Sequence, residues 1–486
     1  MATAPIAPAT RLPAASAQIL QRVNGFQKIG LVCLLAYLLV LMGRTGEVSA
    51  KLLGGSFLQT SFFLILTVIF AAISGALVES LRSTTAKLVL GMSLWMVATS
   101  PMSTWRGGTL QGFVFLIRIL PAFFLIAGLV VTPDNLRRVM SVIAFAFVIV
   151  LAFVALNPEM ATESRLRMDA ENSSFGNSNE IAIYLLIGIP FWLYVTANSR
   201  YPRVIRWGVI PLTGAAIVVA FRTGSRSGFV TIMVLAVLLL VKASMANRIK
   251  LLLAAIVVLP VAWVMAPESV VARYQGLIRE GVSDTTGAAS SKESRWALFL
   301  ESLDVTARHP LFGVGYGVYA PAAATASLEA GQRAKWQVTH NAFTQVSAEL
   351  GIPCALAYLA TFWFAIRDLW RIRKAYLHQP EAAEVLLAVN AIGLSIFVFL
   401  LNALFTSMAW SNHFYVLMGL AAAISRLAGI AAAPGRRPVP ATPPVRSFSA
   451  LGPARPLLPA DAEPASPYGD VPWARSPRRR DAPPRV

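Results

Sequence analysis

Charge is what this sequence has least of. Only 13% of its 486 residues are Asp, Glu, Lys or Arg, while 56% are hydrophobic. Soluble domains carry roughly 25% charged residues, so a free-standing soluble globule is excluded. Cysteine is nearly missing: Cys33 and Cys354 both lie in apolar runs, which excludes a disulfide framework and a thiolate metal centre. The four histidines, His309, His340, His378 and His413, have neither ligand spacing nor a carboxylate cluster beside them, so no metal site is expected. The apolar runs show no strand-like alternation, and an open sheet could not satisfy its backbone in lipid. No internal repeat is visible, which argues against a solenoid. Residues 1–28 carry no signal-peptide pattern, so the first apolar run serves as the insertion signal.

What is there is a series of apolar runs of helix-crossing length and a mean hydropathy of +0.63. The fold class this implies is an all-α polytopic membrane protein. Hydropathy predicts about twelve spans, near 29–43, 57–78, 86–102, 110–131, 139–156, 180–197, 207–221, 228–243, 250–266, 341–366, 384–404 and 412–430. The chain then divides into an N-terminal tail (1–28), spans one to nine (29–266), a large polar loop (267–340), spans ten to twelve (341–432) and a tail (433–486). That last tail is rich in proline and arginine and reads as disordered.

Orientation follows from Lys and Arg in the short loops. One set holds Arg82 and Lys87, Arg137 and Arg138, Arg200, Arg203 and Arg206, then Lys242, Arg248 and Lys250, and finally Arg367, Arg371, Arg373 and Lys374. That set is expected to be cytoplasmic, with both termini, which leaves the loops at 157–179, 222–227 and 267–340 facing outward. The net charge of +19 is read as topology plus tail. No nucleic-acid module accompanies it, so no nucleic-acid partner is expected. Outside the cell neither ATP nor a sugar nucleotide is at hand, so group transfer there needs a donor carrying its own activation.

Three constellations in the outward loops can carry chemistry. The turn Phe221–Gly228, FRTGSRSG, sets Arg222 and Arg226 four residues apart, on one face if the segment is helical. Its serines and glycines offer donors, and the next helix starts there with its positive end. Arginine forks match phosphate oxygens, so this is a candidate anion site. In the large loop, ESRWALFLESLDVTARHP has rough amphipathic spacing behind Arg295; His309-Pro310 stops it, and a glycine run, LFGVGYGVY, follows. No strand precedes that run and no GK[ST] follows it, so it reads as a close backbone turn. At 339–341, ThrHisAsn puts His340 at the mouth of the tenth span, where an imidazole can move protons. Position alone favours an interfacial histidine bonded to a loop carbonyl.

Two further charges lie inside spans. Arg118 precedes Pro121 in mid-span and is expected either to serve the site or to pair with Glu349 or Glu79. Glu349 lies nine residues beyond His340, on the opposite side of the helix, and is expected to pair with another helix.

Taken in order around one large outer loop, FRTGSRSGF, HPLFGVGYGVY and THNAFTQVSAELGIP resemble the O-antigen ligase and polymerase superfamily. SSFGNSNEIAIYLL at 173–186 resembles the Phe-Gly-Asn-x-Asn stretch of that family. The resemblance covers roughly residues 30–430, with its motifs in 173–351. It implies inner-membrane enzymes, similar in fold to the helical glycosyltransferases called GT-C, that move glycan from undecaprenyl pyrophosphate to an acceptor on the periplasmic side without a metal or other cofactor. By position it implies that Arg226 and Arg295 hold the donor pyrophosphate and that His340 is the base toward the acceptor hydroxyl. Arg273 and Arg279 lie in the same loop as Arg295, and Arg222 is an additional basic residue at the anion site. The expected partners are the lipid-linked donor, lipid A–core or a growing glycan as acceptor, and the bilayer. Ligase action on lipid A–core is the reading, polymerisation of O-antigen or exopolysaccharide the alternative. A transporter is disfavoured because the polar groups sit in one asymmetric loop rather than in repeats near the midplane.

Overall fold

The structure, a computed structural model, describes residues 25–429 apart from 47, 50–58, 157–160, 163–164, 167–177, 279–287, 330, 332, 334–335 and 380–381. All the described residues belong to one compact unit. The disorder expected of the C-terminal tail falls outside the described residues, as does nearly all of the N-terminal tail.

Helices account for almost all of the described chain. They are α1 (Gly25–Gly43), α2 (Gln59–Ile73), α3 (Ala76–Ser80), α4 (Thr84–Thr99), α5 (Arg106–Ile119), α6 (Pro121–Leu129) and α7 (Pro133–Leu156). After a two-residue-per-strand hairpin, Ala161–Thr162 with Arg165–Leu166, come α8 (Ser178–Ala197), α9 (Arg203–Arg222), α10 (Arg226–Lys242) and α11 (Met245–Val264). The loop helices α12 (Glu268–Ile278), α13 (Ala288–Arg308) and α14 (Tyr319–Glu329) follow, then α15 (Ala342–Tyr376), α16 (Ala383–Ala403) and α17 (Asn412–Leu427).

Eight helical stretches, with α5 and α6 taken as one, are long and apolar enough to cross a membrane, and α2 is a shorter apolar helix. The chain is therefore a multi-pass membrane protein. Each of the twelve expected spans coincides with a helical stretch, but α4, α10 and α17, like α2, fall short of the length that qualifies the eight. The large loop is more helical than expected: only α13 had a sequence signal, whereas α12 and α14 flank it.

The bundle core is one cluster built around Tyr37, Phe123, Phe147, Trp192, Phe399 and Tyr415. Of the eight long apolar stretches α8 is the most deeply buried in the bundle, whereas α11 is almost wholly exposed on its surface. Both are apolar because lipid tails are as apolar as a packed core, so hydropathy alone cannot rank them.

The two ends of the bundle differ in character. At one end Glu384, at the start of α16, takes Arg137 Nη1 at 3.0 Å and Arg200 Nε at 2.8 Å. Asn198 Nδ2 also reaches it, at 3.2 Å. The opposite end carries the starts of α8, α10, α15 and α17 and the close of α16. An added Cβ on Gly228 would touch Ala182 at 3.0 Å, which puts the beginning of α10 beside the beginning of α8.

The longest helix, α15, is broken at Gly351, whose φ of 79° and ψ of 173° are non-helical. The cause is chemical. Pro353 has no N–H for the Glu349 carbonyl, so that carbonyl accepts from Gly315 N at 2.9 Å. Val314 N bonds the Ala348 carbonyl at 2.9 Å, and Ile352 N donates to the Pro310 carbonyl at 2.8 Å. Trp95 Nε1 bonds the Leu350 carbonyl at 2.9 Å. The glycine run after His309-Pro310 is thus a turn, as expected, and its backbone fills the break in α15.

Candidate functional site

The turn between α9 and α10 is built from its hydroxyls. Thr223 Oγ1 donates to the Ala220 carbonyl at 2.6 Å and accepts from Ser225 N at 3.2 Å. Ser225 then caps α10, accepting from Gly228 N at 3.1 Å. Gly224 makes the reversal with φ 63°. Helical periodicity does not run through this turn: α9 ends at Arg222 and α10 begins at Arg226. The expectation that the two arginines share a helical face is therefore corrected. They bracket a tight turn instead, both half-buried.

Arg226 stands at the N-terminus of α10, where the helix dipole is positive. The Arg222 Nε atom is buried with no hydrogen-bond partner among the described residues, a costly state for a guanidinium unless something accepts from it. The loop helix α12 closes over this turn. Tyr274 Oη donates to the Phe221 carbonyl at 2.8 Å, and its ring packs on Phe221 and Phe229.

The second half of the site is the approach to α15. Asn341 caps that helix, its Oδ1 accepting from Phe343 N at 2.9 Å and Thr344 N at 3.1 Å. His340 precedes it with φ 52°, in the left-handed region. For a non-glycine residue that conformation costs on the order of 1–3 kcal/mol, so it persists only where the surroundings impose it. Here they do: His340 N donates to Ser407 Oγ at 2.8 Å. Among the described residues no hydrogen bond engages the imidazole.

Arg295 lies on α13, half-buried, one turn before the buried Leu298. α13 packs along the first turns of α15, where Thr306 Oγ1 and Ser347 Oγ share a hydrogen bond of 2.9 Å. This brings the Arg295 charge within reach of His340. Burial, and then the Arg295 charge, hold the His340 imidazole below its ordinary pKa. Desolvation and a neighbouring cation both disfavour imidazolium, so His340 is neutral and able to accept a proton near pH 7.

Arg295 and His340 thus meet. Arg222 and Arg226 lie together at the same end of the bundle, and α10 packs along α16, whose closing end leads into Ser407. Arg279 and the Phe-Gly-Asn part of the 173–186 stretch fall outside the described residues, as does the side chain of Arg273.

Arg118 joins neither group. Its side chain is exposed on α5, and its carbonyl accepts from Tyr37 Oη at 2.5 Å. The pairing with Glu349 or Glu79 is corrected: Glu79 pairs with Arg82 at 2.7 Å, and Glu349 binds Trp410 Nε1 at 2.7 Å. Glu349 also accepts from Gln345 Nε2 at 3.4 Å and from the Gly317 N–H. Among the described residues no three His, Cys, Asp or Glu side chains are grouped to hold a metal ion.

The loop between α16 and α17 carries no charge, and nothing in its sequence marks it as part of the site. Yet Asn341 Nδ2 reaches the Leu404 carbonyl at 3.2 Å, Ser407 holds His340, and Gln345 Oε1 accepts from Ala409 N at 3.3 Å.

Residues 211–359 match the family model described as O-antigen ligase. No curated protein matches the chain. The matched stretch contains Arg222, Arg226, Arg295, His340 and the break at Gly351.

Proposed function

We propose that this chain, a member of the O-antigen ligase superfamily, is a glycosyltransferase that moves a glycan from undecaprenyl pyrophosphate to an acceptor hydroxyl at the outer face of the bacterial inner membrane. The acceptor in this reading is lipid A–core. The observation that carries the proposal is a half-buried His340 beside Arg295, its imidazole held below its ordinary pKa by burial and then by that charge, at the end of the bundle that also bears Arg222 and Arg226. The opposite end holds Arg137 and Arg200, and the excess of short-loop arginine and lysine on that side supports a cytoplasmic assignment for it and for both termini.

In the reaction the imidazole of His340 removes the proton from the acceptor hydroxyl. The hydroxyl oxygen attacks C1 of the donor sugar from the face opposite the leaving group. The bond from C1 to the pyrophosphate oxygen breaks as the new glycosidic bond forms, so the anomeric centre inverts. Negative charge grows on the departing pyrophosphate, and Arg226, Arg295 and Arg222 are the groups that stabilise it. Fixed cations in a site shielded from water act strongly there. Removing a general base typically costs about 10²–10⁴-fold in rate.

Disruption of the chromosomal copy followed by glycan analysis tests the function. Polymer of normal length with unmodified lipid A–core is the expected result; single repeat units would make the protein a polymerase, and neither phenotype would favour a carrier. Arg226→Ala is expected to abolish transfer while the protein still inserts, and normal transfer by that variant would remove Arg226 from the site.

A further inference from the structure

The histidine does not hold its own geometry. His340 sits at φ 52°, and the atom that takes its N–H comes from a loop more than sixty positions on, as the Ser407 Oγ at 2.8 Å. Ser407 Oγ also lies 2.8 Å from Thr339 Oγ1, which donates to the Asn341 carbonyl at 2.8 Å. Because a carbonyl can only accept, the Thr339 proton is committed to Asn341. Ser407 must then donate to Thr339 while accepting from His340. One serine hydroxyl is therefore bonded on both sides, with the residue before the histidine and with the histidine itself.

The serine is in turn held in place. Its loop is fastened to successive turns of α15: Leu404 by Asn341 at 3.2 Å, Ala409 by Gln345 at 3.3 Å, and Trp410 by the buried Glu349 at 2.7 Å. Asn341 caps the start of α15 and Glu349 precedes its break at Gly351, so the loop spans this whole first segment of the helix. A serine fixed at this precision at a left-handed histidine is the arrangement expected where a side chain must be aimed and its rotamer held by a supporting shell.

We propose that Ser407 is a positioning residue for His340, setting the direction of the imidazole through its backbone, with Glu349 and Gln345 anchoring the loop that presents it. This rests on the reading of His340 as the base. Ser407 itself touches neither donor nor acceptor. Its hydroxyl is engaged with Thr339 and His340, and its role is to keep the neutral imidazole pointed at the acceptor.

The test uses the full-length protein with lipid-linked donor and acceptor, comparing Ser407→Ala, Ser407→Thr and His340→Ala. Misplacement of a catalytic group by about 1 Å costs up to about 100-fold. Ser407→Ala is expected to lose about 10- to 100-fold in kcat with the donor KM unchanged. Ser407→Thr, which keeps the oxygen at a half-buried position, is expected to recover most of that loss. In parallel, the rate at which diethylpyrocarbonate modifies His340, read on its peptide by mass spectrometry, is expected to change in Ser407→Ala and return in Ser407→Thr. Wild-type kcat and wild-type modification in Ser407→Ala would overturn the proposal. So would a fall in kcat matched by a rise in KM without rescue by threonine, the mark of a general structural role. If His340→Ala keeps transferring glycan while Ser407→Ala still alters modification, the contact stands and the base assignment falls.

Discussion

Replacing Gly351 by alanine strikes the joint on which both halves of the loop architecture depend. The penalty has two separable parts. The first is intrinsic: φ 79° with ψ 173° is a region essentially reserved for glycine, and a residue with a Cβ pays on the order of 1–3 kcal/mol to enter it. The second is steric. A Cβ at 351 would lie 2.1 Å from the Leu311 carbonyl oxygen and 2.4 Å from its carbon. Those are backbone atoms of the segment that fills the helix break, so no side-chain rotation relieves the clash. Backing the two segments apart would give up the bonds Val314 N to Ala348 O, Gly315 N to Glu349 O and Ile352 N to Pro310 O. Each such bond contributes about 0.5–1.5 kcal/mol net, so the total loss is on the order of 3–7 kcal/mol. Gly331 is the control, with φ 69° and nothing within 4 Å of its added Cβ; its alanine variant pays only the conformational part. The assay is thermal unfolding of the two purified variants in the same detergent, together with the yield of monodisperse protein. Gly351→Ala is expected to be far less stable than Gly331→Ala. Equal transition temperatures would refute the claim that residues 310–315 are wedged into the break.

Three further perturbations have defined outcomes. Because Arg295 helps hold the His340 pKa down, Arg295→Gln should raise it and move the acid limb of the kcat–pH profile to higher pH, whereas Arg295→Lys should leave the limb nearly in place; an unmoved limb in Arg295→Gln would put that charge out of reach of the imidazole. Glu349→Ala strands Trp410 Nε1, and a buried orphan donor costs about 1–3 kcal/mol, so it should melt below Glu349→Gln, which keeps an acceptor for the indole; identical melting would mean the carboxylate does not carry the loop. Glu384→Ala removes the common partner of Arg137 and Arg200 at the other end of the bundle, and should lower stability by about 1–3 kcal/mol with donor KM and kcat unchanged; a change in kcat would break the separation between the two ends.

How far the molecule can be read from its letters depends on whether the signal is local. Apolar run length located a helix at every expected span, because each run of hydrocarbon side chains needs a helix to satisfy its backbone in lipid. α15 outlasts the expected span at 341–366: helix geometry continues to Tyr376 through Arg367, Arg371, Arg373 and Lys374, where the side chains leave the apolar register but the backbone bonds go on. The caps at Ser225 and Asn341 are local and lie within the FRTGSRSG and ThrHisAsn motifs. What stayed hidden is pairing across the sequence. The glycine run read only as a turn, because its partner segment is a later helix whose Gly-Ile-Pro looks like a weak point rather than a slot. Ser407 had no signature at all: one hydroxyl in an uncharged loop becomes informative only when His340 N is seen 2.8 Å away.

The break in α15 also bears on whether such a bundle transports or catalyses. Discontinuous helices in transporters expose unwound carbonyls, and those oxygens coordinate the coupled ion. At the break here, each carbonyl that loses its helical donor has a replacement from the protein. Ala348 and Glu349 receive Val314 N and Gly315 N, and Leu350 receives Trp95 Nε1. The Glu349 carboxylate is bonded by Trp410, Gln345 and the Gly317 N–H. An ion arriving at this break would have to displace these bonded donors, and each one displaced leaves behind an N–H that costs about 1–3 kcal/mol if it stays buried. The break is therefore a structural socket for the loop that precedes it. By seating residues 310–315 it ties that loop to the same helix that begins beside His340, which is a use of a broken helix suited to aiming a side chain rather than to passing a solute.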